Sequence, residues 1–429
     1  MMKSLGLPSL LVAMCLSACA SVSQNTDQDQ SSISYMQGLP PAAEHLVSDD
    51  ISWTRDPEKA HWANRNVSQI HNGEFISKGI GRPTTLMVSD QSISDAAFID
   101  PNGAARPFEQ LVGGLKADAV IILHNGEIVA EHYYGAFQAD DRHQLNSLTK
   151  AFIGTLVGIL STEQRVDLDR PLGQALIELS DSGVADATLQ NALDMTLGLD
   201  WTMAWDDPNS FRVRSFQAGG FAARPQSFKY ANTLELIAEA NKKNEHGREF
   251  AYQSASSELL GWSVSRATGA PWQHALEKRI WSQIGAERDA FVITDPAGHG
   301  FAAAGMSATL RDIARFGLML EADGFYNQKQ IVPAEWISQV LRGNEAVRNA
   351  MKSEREIYAY GSNFFYHNHF RVFDNEEGEF FATGGGGQKL YINQKNNLVG
   401  VFLSNNPNRS EVVFHIDLMR QVRDYLSEP

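Results

Sequence analysis

Strand signals lie near both ends of the body of this chain and helical signals fill the stretch between them, an order that limits the fold more than any other feature. Ala119 to Leu123 and Glu127 to Tyr134 are β-rich runs joined by His124-Asn125-Gly126, and Asn-Gly between apolar runs is a strong hairpin signal. After Gln144 the period changes, because Leu148, Phe152, Leu156, Ile159 and Leu160 recur at helical spacing. Residues from about 166 to 285 read as helical and loop-rich, with tryptophans at 201, 205 and 262 and no strand series. A second amphipathic helix follows through Leu310, Ile313, Phe316 and Leu320. Thr383 to Leu403 returns to strand with a turn near Asn396-Asn397, and Val412 to Val422 closes the chain as a helix. The expected fold class is α+β: one antiparallel sheet flanked by terminal helices, with an inserted, mainly helical lobe and a cleft between the two.

Composition removes several chemistries. The chain has 429 residues and a net charge of -15, so a polyanion would be repelled and nucleic-acid binding has no electrostatic footprint. Its only cysteines are Cys15 and Cys19, which leaves the folded body without a thiol for a disulfide, a thiolate nucleophile or a zinc cluster. No His-Glu-x-x-His spacing places two imidazoles on one helical face. Neither a metal nor an organic cofactor is implied.

Lys3 precedes an apolar stretch from Leu5 to Leu16, too short to span a bilayer but suited to a signal-peptide core over residues 1–18. Leu16-Ser17-Ala18-Cys19 resembles the lipobox of bacterial lipoproteins, in which the cysteine becomes the diacylated first residue. The alternative is an ordinary secretory signal with Cys19 incidental; both readings imply export. Residues 19–50 begin with a polar run that reads as a tether, and residues 51–429 read as one enzyme-sized body. No aspartate follows Cys19 directly, which by resemblance to sorted lipoproteins favours the periplasmic side of the outer membrane, with the membrane a partner through the lipid.

Ser147-Leu148-Thr149-Lys150 sets a hydroxyl and an amine one turn apart at a helix start, where i and i+3 side chains share a face. Serine is a weak nucleophile until a base takes its proton, and a lysine can act so when burial keeps it neutral. The plainer alternative is that Ser147 caps the helix and Lys150 is solvated. Phe250-Ala-Tyr252-Gln-Ser254 opens a helix expected over Ser257 to Arg266. Tyr252 and Ser254 there could bring two hydroxyls to the cleft, although a tyrosine before a helix often only packs. Thr383-Gly384-Gly385-Gly386-Gly387-Gln388 precedes Lys389; glycines at a strand edge let a substrate approach and leave N–H groups free for an oxyanion, whereas a flexible turn is the alternative.

These three elements, in this order, resemble the serine β-lactamase and penicillin-binding-protein superfamily, most closely its class C-like branch of esterases and 6-aminohexanoate-dimer hydrolases. The resemblance covers most of the chain after about Ile51, including Ala192 to Trp201, Tyr252 to Trp262 and Ala303 to Gly317. It implies Ser147 as acylated nucleophile, Lys150 as base and Tyr252 as proton relay, with the N–H groups of Ser147 and Gly385 as oxyanion hole. Gly384 and Gly386 would line the substrate beside it. Ser254 stands where many class C enzymes have asparagine, and Trp205 where this branch has an aromatic lining the pocket. The implied activity is hydrolysis of a small-molecule or peptide ester or amide through an acyl-enzyme. Thr383-Gly384-Gly385 replaces the Lys-Thr-Gly of β-lactamases, so efficient β-lactam hydrolysis is not expected. A β-lactamase or D-Ala-D-Ala carboxypeptidase remains the alternative within the family, and a non-catalytic surface-tethered binding protein the alternative outside it. The oligomeric state is left open.

Overall fold

The computed structural model describes residues 35–49, 56–204, 206–352, 363–406 and 408–427. The chain divides into two compact units, residues 1–45 and 46–429. In the first, Tyr35–His45 is closed by a 3-10 turn over Ala43–His45 and by the Met36 N–H donating to the His45 carbonyl at 2.9 Å. The signal-peptide residues and Cys19 lie outside the described residues.

The second unit carries β1 (Gly73–Ile76), α1 (Phe108–Gly114), β2 (Ala117–His124), β3 (Glu127–Tyr133), β4 (His143–Gln144) and α2 (Thr149–Thr162). Through the expected helical lobe run α3 (Leu189–Leu193), α4 (Phe211–Ala218) and α5 (Ser254–Thr268), with shorter helical turns between them. Then follow β5 (Ala290–Ile293), β6 (Met306–Ala308), α6 (Leu310–Glu321) and α7 (Ala334–Arg342). The chain ends with β7 (Phe364–His367), β8 (Phe370–Phe373), β9 (Glu379–Thr383), β10 (Lys389–Asn393), β11 (Leu398–Ser404) and α8 (Arg409–Ser427).

The main sheet has seven strands in the order β7-β8-β9-β10-β11-β2-β3, every neighbouring pair antiparallel. Its chain ends meet where β11 pairs β2, with Val401 opposite Ile121, so the expected sheet built from both ends of the body is present. Asn125 and Gly126 both have positive φ, 53° and 80°, as the tight turn between β2 and β3 requires. The terminal helix α8 covers one face, where His415 stacks on Phe402 at 4.4 Å between centroids. Helix α6 packs against β10 and β11; a Cβ on its Gly317 would meet Val399 at 2.7 Å and Leu390 at 2.8 Å.

Helix α2 is buried on every side from Thr149 to Leu160, more than the single apolar face that its spacing predicts. Two glycines let other elements reach its axis. A Cβ on Gly158 would lie 2.2 Å from the Trp336 ring of α7, and one on Gly154 would lie 2.8 Å from the Asn368 carbonyl at the tip between β7 and β8. Phe152 stacks on Phe316 of α6 at 4.0 Å, joining α2 to α6.

The expectation is corrected at four places. A second, four-stranded sheet in the order β1-β5-β6-β4 accompanies the first; its strands have two to four residues, too few to show a period. Ser147 is not the first residue of α2 but sits in a 3-10 turn over Asn146–Leu148. Helix α5 begins at Ser254 rather than Ser257, because Gln253 is still extended and the backbone turns helical immediately after it. Among the described residues the final run of main-sheet strands begins at Phe364 rather than Thr383, and glycines 384–387 form the turn between β9 and β10, two of them at φ of 89° and 104° that other residues rarely adopt.

Candidate active site

The turn that carries Ser147 is held from three sides. Asn146 adopts φ of 49°, a left-handed conformation asparagine tolerates better than most residues. Its side-chain amide donates to the Gly385 carbonyl at 2.8 Å. The Leu145 N–H donates to the Met306 carbonyl at 2.8 Å, and the Met306 N–H donates to Thr149 Oγ1 at 3.1 Å, which ties the start of α2 to β6. Ser147 makes no capping hydrogen bond at the start of α2, whose N-cap position is Leu148.

One turn along, Lys150 is 3% exposed. Its Nζ lies 3.3 Å from Ser147 Oγ and donates to the Ala303 carbonyl. Burial pulls the amine below the usual lysine range; Tyr252 and Glu258 oppose that shift, and the Arg212 guanidinium adds to it. Lys150 is therefore not the solvated surface lysine of the plainer reading, and its placement favours the neutral form a base requires.

Tyr252 arrives on an extended segment clamped by one backbone and one side-chain hydrogen bond. The Ala251 N–H donates to the Met195 carbonyl at 2.7 Å, and Gln253 Nε2 donates to the Leu197 carbonyl at 3.3 Å. This presents the Tyr252 ring to Lys150, with Nζ 5.3 Å from the ring centroid. The Arg371 guanidinium lies 5.2 Å from the same centroid, and Tyr366 meets the ring edge-on at 6.2 Å. Ser254, two residues on, is buried as the first residue of α5. A cavity of about 210 Å³ borders Ala251 and Gln253, the residues flanking Tyr252, and is walled by Leu197, Leu199 and Trp201.

The glycine turn completes the constellation. The Gly384 N–H donates to the Gln388 carbonyl at 2.8 Å, and the Gly384 backbone runs so close to Leu145 that a Cβ there would lie 2.1 Å from its carbonyl. Gln388 Nε2 donates to the Gly385 carbonyl at 2.7 Å, the carbonyl that Asn146 also holds. Gly385 thus stands beside the Ser147 turn, and a Cβ on it would meet nothing within 4 Å, so open space adjoins this backbone. Lys389 pairs with Thr383 across the ladder, yet its amine is buried 5.5 Å from the Phe381 ring and sees Arg371 and Asp417, the latter on α8. Burial lowers it to about 7.

Ser147, Lys150, Tyr252 and the Gly384–Gly386 turn are thus brought together, with Ser254 next to them in the chain. Trp205 and Cys19 fall outside the described residues. Among the described residues no cluster of three His, Asp, Glu or Cys side chains is placed to hold a metal ion. Reading of the sequence missed Asn146, the Ala303 carbonyl, Glu258 and the two arginines. Asparagine directly before the serine was a usable turn signal; a backbone acceptor 153 residues from Lys150 offered none.

Comparison with known proteins assigns the chain to a family. The family described as Beta-lactamase matches over residues 104–424. The chain is 33% identical over 299 residues to a 6-aminohexanoate-dimer hydrolase of Paenarthrobacter ureafaciens, covering 70% of this chain and 75% of that one. A solved structure from Bacillus anthracis, described as a candidate 6-aminohexanoate-dimer hydrolase, superposes with a TM-score of 0.79 at 28% identity, covering 90% of this chain and 99% of that one. An octameric penicillin-binding-protein homologue from Pyrococcus abyssi shares the fold, with a TM-score of 0.53 at 16% identity over 72% of this chain and 75% of that one.

An amine lowered by burial and touching a serine hydroxyl has a direct kinetic consequence. Activity should rise with pH through an apparent pKa below that of free lysine, because Lys150 is then losing its proton. Lys150→Arg keeps the charge but cannot give up the proton, so kcat/KM on a neutral ester is expected to fall by about 10²–10⁴-fold. Turnover within a few-fold of the parent would remove Lys150 from the chemistry.

Proposed function

Because the chain belongs to the beta-lactamase family, we propose that it is a serine hydrolase that opens ester or amide bonds through an acyl-enzyme on Ser147. The observation that carries this reading is the contact of 3.3 Å between Ser147 Oγ and the Nζ of a buried lysine. A protein that only binds has no need to bury an amine against a hydroxyl, since removing a charge from water is costly unless its environment neutralises it. In the proposed cycle neutral Lys150 takes the Ser147 proton as Oγ attacks the acyl carbon. The N–H groups of Ser147 and Gly385 receive the developing oxyanion, and Tyr252 passes a proton to the departing amine or alkoxide. A water activated by the same Lys150–Tyr252 pair then releases the acid. Ser254 and Trp205 are assigned to the substrate pocket, with Gly384 and Gly386.

An esterase or amidase is favoured over an efficient β-lactamase. The curated relative is named for hydrolysis of an aminohexanoate dimer, and Thr383 stands where β-lactamases present a strand lysine. A charge-assisted hydrogen bond to a carboxylate contributes about 1.5–3 kcal/mol, so its loss weakens discrimination for anionic substrates by roughly one to two powers of ten. Arg371, beside Tyr252, and Arg212, close enough to act on Lys150, put positive charge on the tyrosine side. That charge favours an anionic acyl donor, β-lactams included, as the second reading. Purified protein should turn over short p-nitrophenyl esters and aminohexanoate dimers faster than nitrocefin, with all three activities lost in Ser147→Ala. Nitrocefin hydrolysis as fast as the best ester would favour the second reading.

The proposal extends to location. The apolar run before Leu16-Ser17-Ala18-Cys19 supports export and acylation of Cys19, which would hold the enzyme at the periplasmic side of the outer membrane. Cells expressing the full chain should incorporate a fatty-acid analogue that Cys19→Ala removes without loss of hydrolysis; labelling that survives the substitution would refute the anchor.

A further inference from the structure

Helix α5 carries one acid that the proposed cycle does not use. Glu258 is 1% exposed. One of its oxygens accepts from the Ala303 N–H at 2.7 Å and the other from Thr233 Oγ1 at 2.8 Å. Thr233 Oγ1 in turn accepts from Trp262 Nε1 at 3.0 Å, so the carboxylate is fixed from behind. Ala303 is the residue whose carbonyl receives the Lys150 ammonium or amine. The Phe301–Gly305 turn is thereby gripped by Glu258 at the Ala303 N–H and by Lys150 at the Ala303 carbonyl. Gln144 of β4 donates to the Ala304 carbonyl. A buried carboxylate and a buried amine thus share one intervening residue.

We propose that Glu258 is a positioning residue for the base: it fixes the Ala303 turn to which Lys150 donates, and its negative charge governs the pH at which Lys150 is released to act. This rests on Lys150 being the base. Burial pushes the Glu258 carboxyl up to about 8, against the hydrogen bonds from Thr233 and Ala303 and the charge of Lys150, which lower it; Asp295 raises it further. The charged and titratable groups acting on Lys150 itself are Tyr252, Glu258 and Arg212, and His369, at the tip between β7 and β8, feels the Lys150 charge. Carboxyl and amine therefore lose their protons as a coupled pair. The Glu258 anion helps hold the proton on the amine, so where both groups are charged the amine gives up its proton against that carboxylate. Removing that anion should lower the pH at which the amine becomes free.

The test is the acid limb of kcat/KM on an uncharged p-nitrophenyl ester. Glu258→Gln keeps an oxygen for the Ala303 N–H and loses the charge, so its limb should move to lower pH by about one unit. Glu258→Asp, which keeps the charge, should move it less. Thr233→Val removes one donor to the carboxylate, weakens the anion, and should shift the limb the same way by a smaller amount; it decides the matter if Glu258→Gln does not fold. A limb that stays in place or moves to higher pH in the variant that folds overturns the inference. The underlying reading fails separately, if Lys150→Arg remains active; an inactive Lys150→Arg with an unmoved Glu258→Gln limb overturns the role of Glu258 alone.

Discussion

The structure is organised around one unfavourable act, the removal of a lysine amine from water at the start of a helix that is itself buried all round. A charge in such a place costs several kcal/mol unless it is paired or given up. Here the amine has a carbonyl to donate to, a hydroxyl at 3.3 Å and a carboxylate one residue away, and burial biases it toward the neutral form. The surroundings follow from that need. Helix α2 must be enclosed, hence its apolar circumference and the two glycines that let Trp336 and the tip at Asn368 close on it. The Ala303 turn must be rigid, hence the grip of Glu258 and Gln144.

Ser147 is positioned by the opposite device, a strained and partly open turn. Asn146 accepts a left-handed conformation and spends its side chain on Gly385, so the serine turn and the glycine turn move as one body. The missing Cβ of Gly384 lets that contact form at all, since any larger residue would collide with the Leu145 carbonyl. Sheet, helix and turn meet beside Gly385, where open space adjoins the backbone.

The hairpin at Asn125-Gly126, the central helix and the terminal helix were legible because each is long enough, or has turn chemistry specific enough, to leave a pattern. The four-stranded sheet was not, because strands of two to four residues carry no period; yet it holds Gln144 against Ser307 and sets the approach to the serine. Ser147, Lys150, Tyr252 and the glycine run were visible as residue types at suggestive spacings. What holds them was not: the acceptor of the Lys150 proton donor is a main-chain oxygen, and Glu258 looks like any acid on a helix until its burial is seen.

Mapping the covalent adduct of a fluorophosphonate probe by peptide mass spectrometry on the purified, folded protein tests the central claim most directly. A hydroxyl activated by a buried neutral amine captures the probe, so the adduct is expected on the peptide that contains Ser147 and is expected to block ester hydrolysis in proportion to labelling. An adduct on a different serine, or none on active protein, would contradict the assignment of Ser147 and Lys150 as the reacting pair.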